Sequence, residues 1–107
     1  MIFNQGDIIL MNFDPQVGCE QSGRRPAIVV SNNTFNRFTR AAMVCPITRT
    51  DRKLSLQIKL DSRTTTQGVI MCEQVKALDL TRRNAQFLES TDIIGDVVDM
   101  VFSFIEM

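Results

Sequence analysis

The segment Gly6-Asp7-Ile8-Ile9-Leu10-Met11-Asn12-Phe13-Asp14-Pro15 opens on a turn dipeptide, runs mostly apolar, and stops at Asp-Pro. A run this short, bounded by turn signals, reads as a β-strand. Beyond a polar stretch, residues 14–24, in which Gly18, Ser22 and Gly23 favour a flexible loop, comes Pro26-Ala27-Ile28-Val29-Val30-Ser31. This second run is short and β-branched, the composition of a buried strand. Pro26 has no amide hydrogen to give to a ladder. It therefore belongs at the start or edge of the strand, and it holds Arg25 extended.

Outward from this pair, Ala41–Thr48, Leu54–Leu60 and Val69–Leu78 read as three further strands. Asn32–Phe38 reads as one short helical turn capped by Asn32 or Asn33. The period changes near the end, where Ile94, Val97, Val98, Val101 and Ile105 recur at helical spacing, with Asp92, Asp96, Asp99 and Glu106 opposite. Ser90 or Thr91 is the expected cap of this helix, and Asp92 suits the positive end of its dipole. The expected fold is mainly β: a small antiparallel barrel or curled sheet with a C-terminal helix, in a single domain over residues 1–107. Closure into a barrel would leave no exposed sheet edge.

The chain has 107 residues, 44% apolar and 22% charged, enough for one core and too few for two domains. No apolar stretch approaches the ~20 residues of a membrane span, and the N-terminus lacks the basic flank and apolar run of a signal peptide. Cys19, Cys45 and Cys72 are odd in number and widely spaced, so reduced thiols and a cytoplasmic site of action are expected. There is no histidine, which removes the usual general base and the commonest metal ligand. Charge balances overall, yet residues 1–60 carry eight basic groups against four acids and residues 61–107 carry four against eight. A folded face drawn from the first part would attract a polyanion that the whole chain would not.

Gly18-Cys19-Glu20-Gln21-Ser22-Gly23-Arg24-Arg25-Pro26 is the segment richest in chemistry. Its spaced glycines with basic residues after them suggest a phosphate-binding loop. That reading fails, because arginines stand where lysine and a metal-binding hydroxyl are needed and a strand follows where a helix must begin. What remains is a carboxylate and a guanidinium close together at a strand entrance. Glu20 can accept a proton, and Arg25 can hold a phosphoryl group and stabilise developing charge. These are near the minimum for cutting an RNA backbone without metal. Read from composition alone, the same residues also fit a loop salt bridge.

Several motifs occur in a telling order. They are Gly6-Asp7, Phe13-Asp14-Pro15, the loop Gly18-x-Glu20-Gln21-x-Gly23-x-Arg25-Pro26, Asn36-Arg37, Pro46-Ile47-Thr48, and Gly68-Val69 leading to Glu73-Gln74-Val75. In that order and across essentially the whole chain, the sequence resembles the MazF/PemK toxins of bacterial toxin–antitoxin pairs. The resemblance implies an SH3-like barrel that forms a homodimer and cuts single-stranded RNA at short sequences. It also implies cleavage through a 2′,3′-cyclic phosphate with neither metal nor cofactor, and a cognate antitoxin that blocks the site with an acidic segment. By position, Arg25 and Thr48 fall on the family's catalytic pair and Glu20 on its loop acid. Glu20 is either the general base or the residue that orders the loop. The chain departs from PemK-like members that carry a histidine at the position of Cys19 and an arginine at that of Met71; Glu73 keeps a carboxylate.

For RNA binding, Arg49, Arg52 and Lys53 are candidates for backbone contacts, and the amides of Gln21, Asn36 and Gln74 for reading base edges. Phe13, Phe35 and Phe38 could stack on bases, although the core is the expected place for each. The apolar stripe of the last helix is expected to be core rather than a groove for a partner, and Met43 and Met100 are candidates for a dimer seam. Two other readings stand beside this one. A gyrase-poisoning toxin of the same fold would carry a C-terminal Trp-Gly-Ile, whereas this chain ends Phe104-Ile105-Glu106-Met107. A small barrel that binds RNA without cutting it is the other.

Overall fold

A computed structural model describes residues 2–13, 23–51 and 55–107. The strands are β1 (Asp7–Asn12), β2 (Arg24–Val29), β3 (Ala42–Thr48), β4 (Gln57–Lys59), β5 (Val69–Met71), β6 (Lys76–Leu78) and β7 (Gln86–Ser90), and the helices are α1 (Asn33–Thr39) and α2 (Ile94–Ile105). They form one antiparallel sheet in the order β4-β5-β3-β2-β1-β7, with β6 also paired to β3.

β1 lies inside the sheet between β2 and β7, which explains its nearly unbroken apolar run. Strand alternation sorts its side chains onto two faces. Ile8 packs on one, with Ile28, Cys45, Ile47, Ile70 and the buried side of α2. Ile9, Met11 and Phe13 pack on the other, with Ala27, Val29 and Val44. Asp7 is buried and fixes the entrance to the sheet: its carboxylate accepts from the Asn4 amide at 2.8 Å and the Ser90 hydroxyl at 2.7 Å.

Several expectations are corrected here. The sheet does not close into a barrel, for β4 and β7 are its two ends and are not paired with each other. The gap is bridged by a side chain instead, since Glu89 on β7 accepts from the amides of Thr65 and Thr66 in the segment after β4. The strand expected over Leu54–Leu60 is the shorter β4. The one expected over Val69–Leu78 is cut by a 3-10 turn at Cys72–Gln74. The register requires that turn: three steps along β3, from Ile47 to Val44, correspond to six along its partner, from Ile70 to Lys76. β7 carries no apolar signal of burial, and Phe87 and Leu88 stand exposed at this edge. Ser90 therefore ends a strand rather than capping α2. Thr91 receives the Ile93 amide just before the helix, and Asp96, not Asp92, is the acid in its first turn. Along α2, Val97 and Val101 are buried as expected, but Ile105 is exposed. It joins Val98, Val101, Phe102, Phe35 and Met43 around an apolar groove.

Gly68 is the tightest backbone contact near the end of β3. Its φ is +133°, and a Cβ there would lie 2.5 Å from the Thr48 carbonyl oxygen. Val69 pairs with Thr48, so the conformation of Gly68 and the place of Thr48 are set together. Gly68→Ala should destabilise the fold by about 2 kcal/mol, as expected for a strained left-handed backbone with a steric overlap. Urea unfolding checks this, and an unchanged midpoint would show that the backbone can shift there freely.

Candidate active site

Arg25 is the second residue of β2, half-buried, and paired across the ladder with Met11. It therefore shares the face of Met11, Ala27 and Val29. The β2–β3 ladder pairs Ala27 with Pro46, and the same register carried two residues further sets Arg25 across from Thr48. Far apart in sequence, the two residues stand at the same end of the sheet because β2 starts where the antiparallel β3 ends. Thr48 ends β3 and is 6% exposed. Its Oγ1 accepts from the Thr50 amide at 3.2 Å, which orients the hydroxyl and leaves its proton available to give. The pair thus presents a guanidinium and a hydroxyl donor on one face at one end of the sheet. That arrangement can hold a tetrahedral anion and stabilise charge as it develops.

The remaining candidates divide. Glu20, Gln21, Arg52 and Lys53 lie outside the described residues, as does Cys19. Arg49 is exposed just past Thr48, where a backbone phosphate can reach it. Asn36 is a correction, because its amide is used by the fold. It is 3% exposed, donates to the carbonyls of Phe3 at 3.0 Å and Ser31 at 3.2 Å, and accepts from the Ser31 hydroxyl. Asn32, not Asn33, caps α1 by accepting from the Phe35 amide. Phe13 is core, with the Lys76 ammonium 5.7 Å from its ring centre, whereas Phe38 is 85% exposed.

Gln74 is half-buried, in the 3-10 turn, and its Oε1 is buried without a hydrogen-bond partner. The same holds for an oxygen of Glu73 and for Oε1 of Gln57, whose amide nitrogen donates to Glu73 at 3.3 Å. Gln57 carried no mark in the sequence and joins this cluster only through the pairing of β4 with β5. Among the described residues, none of these three buried oxygens has a donor, so each keeps the capacity to accept from an N–H. Cys45 and Cys72 are buried free thiols. The hydrogen bond with Cys72 and burial push the Cys45 thiol far up, so it is no nucleophile.

A cleft of about 630 Å³ opens between Arg24, Arg25, Pro26, Ile47, Arg49 and the Thr65–Gln67 segment. Glu89 holds that segment, accepting from the Thr65 amide at 3.0 Å, the Thr66 amide at 2.7 Å and the Thr66 hydroxyl at 2.7 Å. Desolvation raises the carboxyl's pKa, but these three donors outweigh it and hold the group below its ordinary 4.5.

Residues 4–101 match the family described as PemK-like, MazF-like toxin of type II toxin–antitoxin system. The chain belongs to that family. It is 37% identical over 91 residues to endoribonuclease PemK of Escherichia coli, covering 79% of this chain and 67% of that protein. It is 33% identical over 104 residues to endoribonuclease EndoA of Bacillus subtilis, covering 92% and 90% of the two chains. Among solved structures, MazF from Deinococcus radiodurans superposes with a TM-score of 0.91 at 29% identity, covering 100% of this chain and 99% of that one. A MazE–MazF complex from the same organism gives 0.85 at 29% identity, with coverage of 100% and 98%.

Two outcomes follow from these contacts. Asn36→Ala, which strips partners from two carbonyls and a hydroxyl, should cost about 2 kcal/mol in chemical denaturation. The preferred cutting sequence should not change; a shifted sequence would return Asn36 to base reading. For Glu89, the lowered pKa means its contribution is fully present above the unfolded value of 4.5 and is lost as pH falls through the lower folded value. The gap in melting temperature between wild type and Glu89→Gln should therefore be constant near neutrality and narrow in acid. A gap that does not narrow would contradict the assignment.

Proposed function

We propose that this chain is the toxin of a toxin–antitoxin pair and an endoribonuclease that cuts single-stranded RNA at short sequences without metal. The family match over residues 4–101 carries the reading, and the β2–β3 register, continued beyond Ala27 and Pro46, supports Arg25 and Thr48 as its working pair. The curated relatives are named endoribonucleases, which supports enzymatic cleavage over gyrase poisoning.

The chemistry is transesterification followed by release. A ribose 2′-oxygen attacks the adjacent phosphorus, the bond from phosphorus to the 5′-oxygen breaks, and a 2′,3′-cyclic phosphate and a 5′-hydroxyl result. The proton leaving the 2′-hydroxyl goes to a base, for which Glu20 is the sequence candidate, and the leaving 5′-oxygen gains one. Arg25 neutralises the charge that accumulates on the non-bridging oxygens, and the Thr48 hydroxyl donates to one of them. Gln74 and its neighbours accept from base amino groups, while Arg49, Arg52 and Lys53 hold the backbone.

The proposal includes a homodimer, cytoplasmic action and a cognate antitoxin. MazE–MazF complexes among the structural neighbours support the antitoxin. No helix among the described residues is long and apolar enough to cross a membrane.

Purified protein incubated with mixed RNA in EDTA should yield discrete fragments with cyclic-phosphate and 5′-hydroxyl ends. Arg25→Ala should fold normally and lose about a hundredfold or more in kcat, the scale of removing a transition-state charge partner. Cleavage that requires Mg²⁺, or an Arg25→Ala variant as active as wild type, would refute the mechanism.

A further inference from the structure

β7 carries a bulge beside Glu89. Its register on β1 sets Glu89 across from Ile8 and Phe87 across from Ile9, so Leu88 is an extra residue between two rungs. A bulge re-aims the side chains next to it. Here Glu89 takes the face of Ile8, on which Ile47 also packs, and it is the one residue of β7 that is not exposed. The segment it meets is the turn between β4 and β5, residues 61–67. The ladder closes below that turn, at the Lys59–Val69 rung and at the Leu60 amide, which donates to the Gly68 carbonyl at 2.9 Å. Within the turn, Thr64 donates from its amide to the Asp61 carbonyl at 3.2 Å and from its hydroxyl to the Thr66 carbonyl at 2.7 Å. Arg63 adds an exposed pair with Asp92 at 3.5 Å, which contributes little. None of these fixes Thr65 and Thr66 to the sheet. The three bonds to Glu89 do, and Thr65 and Thr66 line the cleft together with Arg25. A carboxylate suits this task because its two oxygens can accept from two consecutive amides at once.

We infer that Glu89 is a positioning residue for RNA cleavage: it braces the Thr65–Gln67 wall and so sets the grip of the Arg25 cleft on the strand. The inference rests on the ribonuclease reading and deepens it, since Glu89 acts on RNA only through that wall. Thr48 is held by Gly68 and by its rung with Val69, independently of the brace. Loss of the brace therefore leaves Arg25 and Thr48 in place and loosens the wall beside them. Binding common to the ground state and the transition state falls, which raises KM and spares kcat.

The test is steady-state cleavage, in EDTA, of a short RNA carrying one cut site mapped from mixed RNA. Glu89→Ala should raise KM about tenfold and keep kcat within about twofold, the weight of one or two hydrogen bonds lost from uniform binding. Glu89→Gln keeps one acceptor oxygen of the two, and its KM should lie between. Simple destabilisation gives a different result: a partly unfolded preparation has fewer active molecules, so the apparent kcat falls and KM stays. A Glu89→Ala enzyme with the wild-type KM, whatever its kcat, overturns the inference and leaves the ribonuclease reading standing. Binding of mixed-sequence 2′-O-methyl RNA, which cannot be cut, is measured in parallel, and its Kd should rise with KM. Wild type that never cuts, yet binds this RNA more tightly than Glu89→Ala does, keeps the brace and removes the enzymatic reading. Wild type that neither binds nor cuts removes both.

Discussion

The pairing of β2 with β3 sets the positions of Arg25 and Thr48. Antiparallel pairing fixes which residues stand opposite, and the two-residue period of a strand fixes which face each one takes. Ala27 opposite Pro46 sets the start of β2, with Arg25, beside the end of β3, with Thr48. Neither partner can slip by one residue. Ile28 and Cys45 would then exchange the core under α2 for the opposite face, and the guanidiniums would trade places with them.

The end of the ladder is held from outside the two strands. Gly68 lies against the Thr48 carbonyl in a conformation that side chains rarely adopt, and Val69 pairs with Thr48 directly. Upstream of them, the Thr64–Gln67 segment is tied to β7 through Glu89, and Arg63 bonds Asp61 at 3.0 Å and Asp92 at 3.5 Å before α2. These last pairs are exposed and contribute little each. The Arg63–Asp92 pair and the Glu89 bonds link the segment after β4 to β7 and the turn beyond it, which no ladder joins. An open sheet with a bridged gap keeps its strand end accessible, which a substrate as long as RNA requires.

Much of the fold could be read from the chain. The apolar run of β1, the β-branched run of β2 behind Pro26, the Asn32 cap and the helical period of α2 are local signals, and each marks its element. β7 escaped notice because an edge strand with exposed Phe87 and Leu88 has no burial pattern to betray it. The break inside Val69–Leu78 escaped for another reason: Cys72 looks like any strand residue, and only the unequal count of residues on the two sides of β3 demands a turn there. Asn36 looked like a base reader because its amide has the right atoms. Burial between Phe3 and Ser31 spends them elsewhere.

The sequence by itself determined which chemistry the chain can perform. The chain has no histidine and offers arginine, threonine and carboxylate groups instead, and that inventory depends on covalent identity alone. Only the tertiary structure decided where those groups act. Arg25 and Thr48 are distant in the chain and reach the same end of the sheet, while Gln57 and Glu73, also distant, are joined by a hydrogen bond of 3.3 Å. Facing direction and proximity come from strand register and burial, which are properties of pairs of segments and are written in neither segment alone.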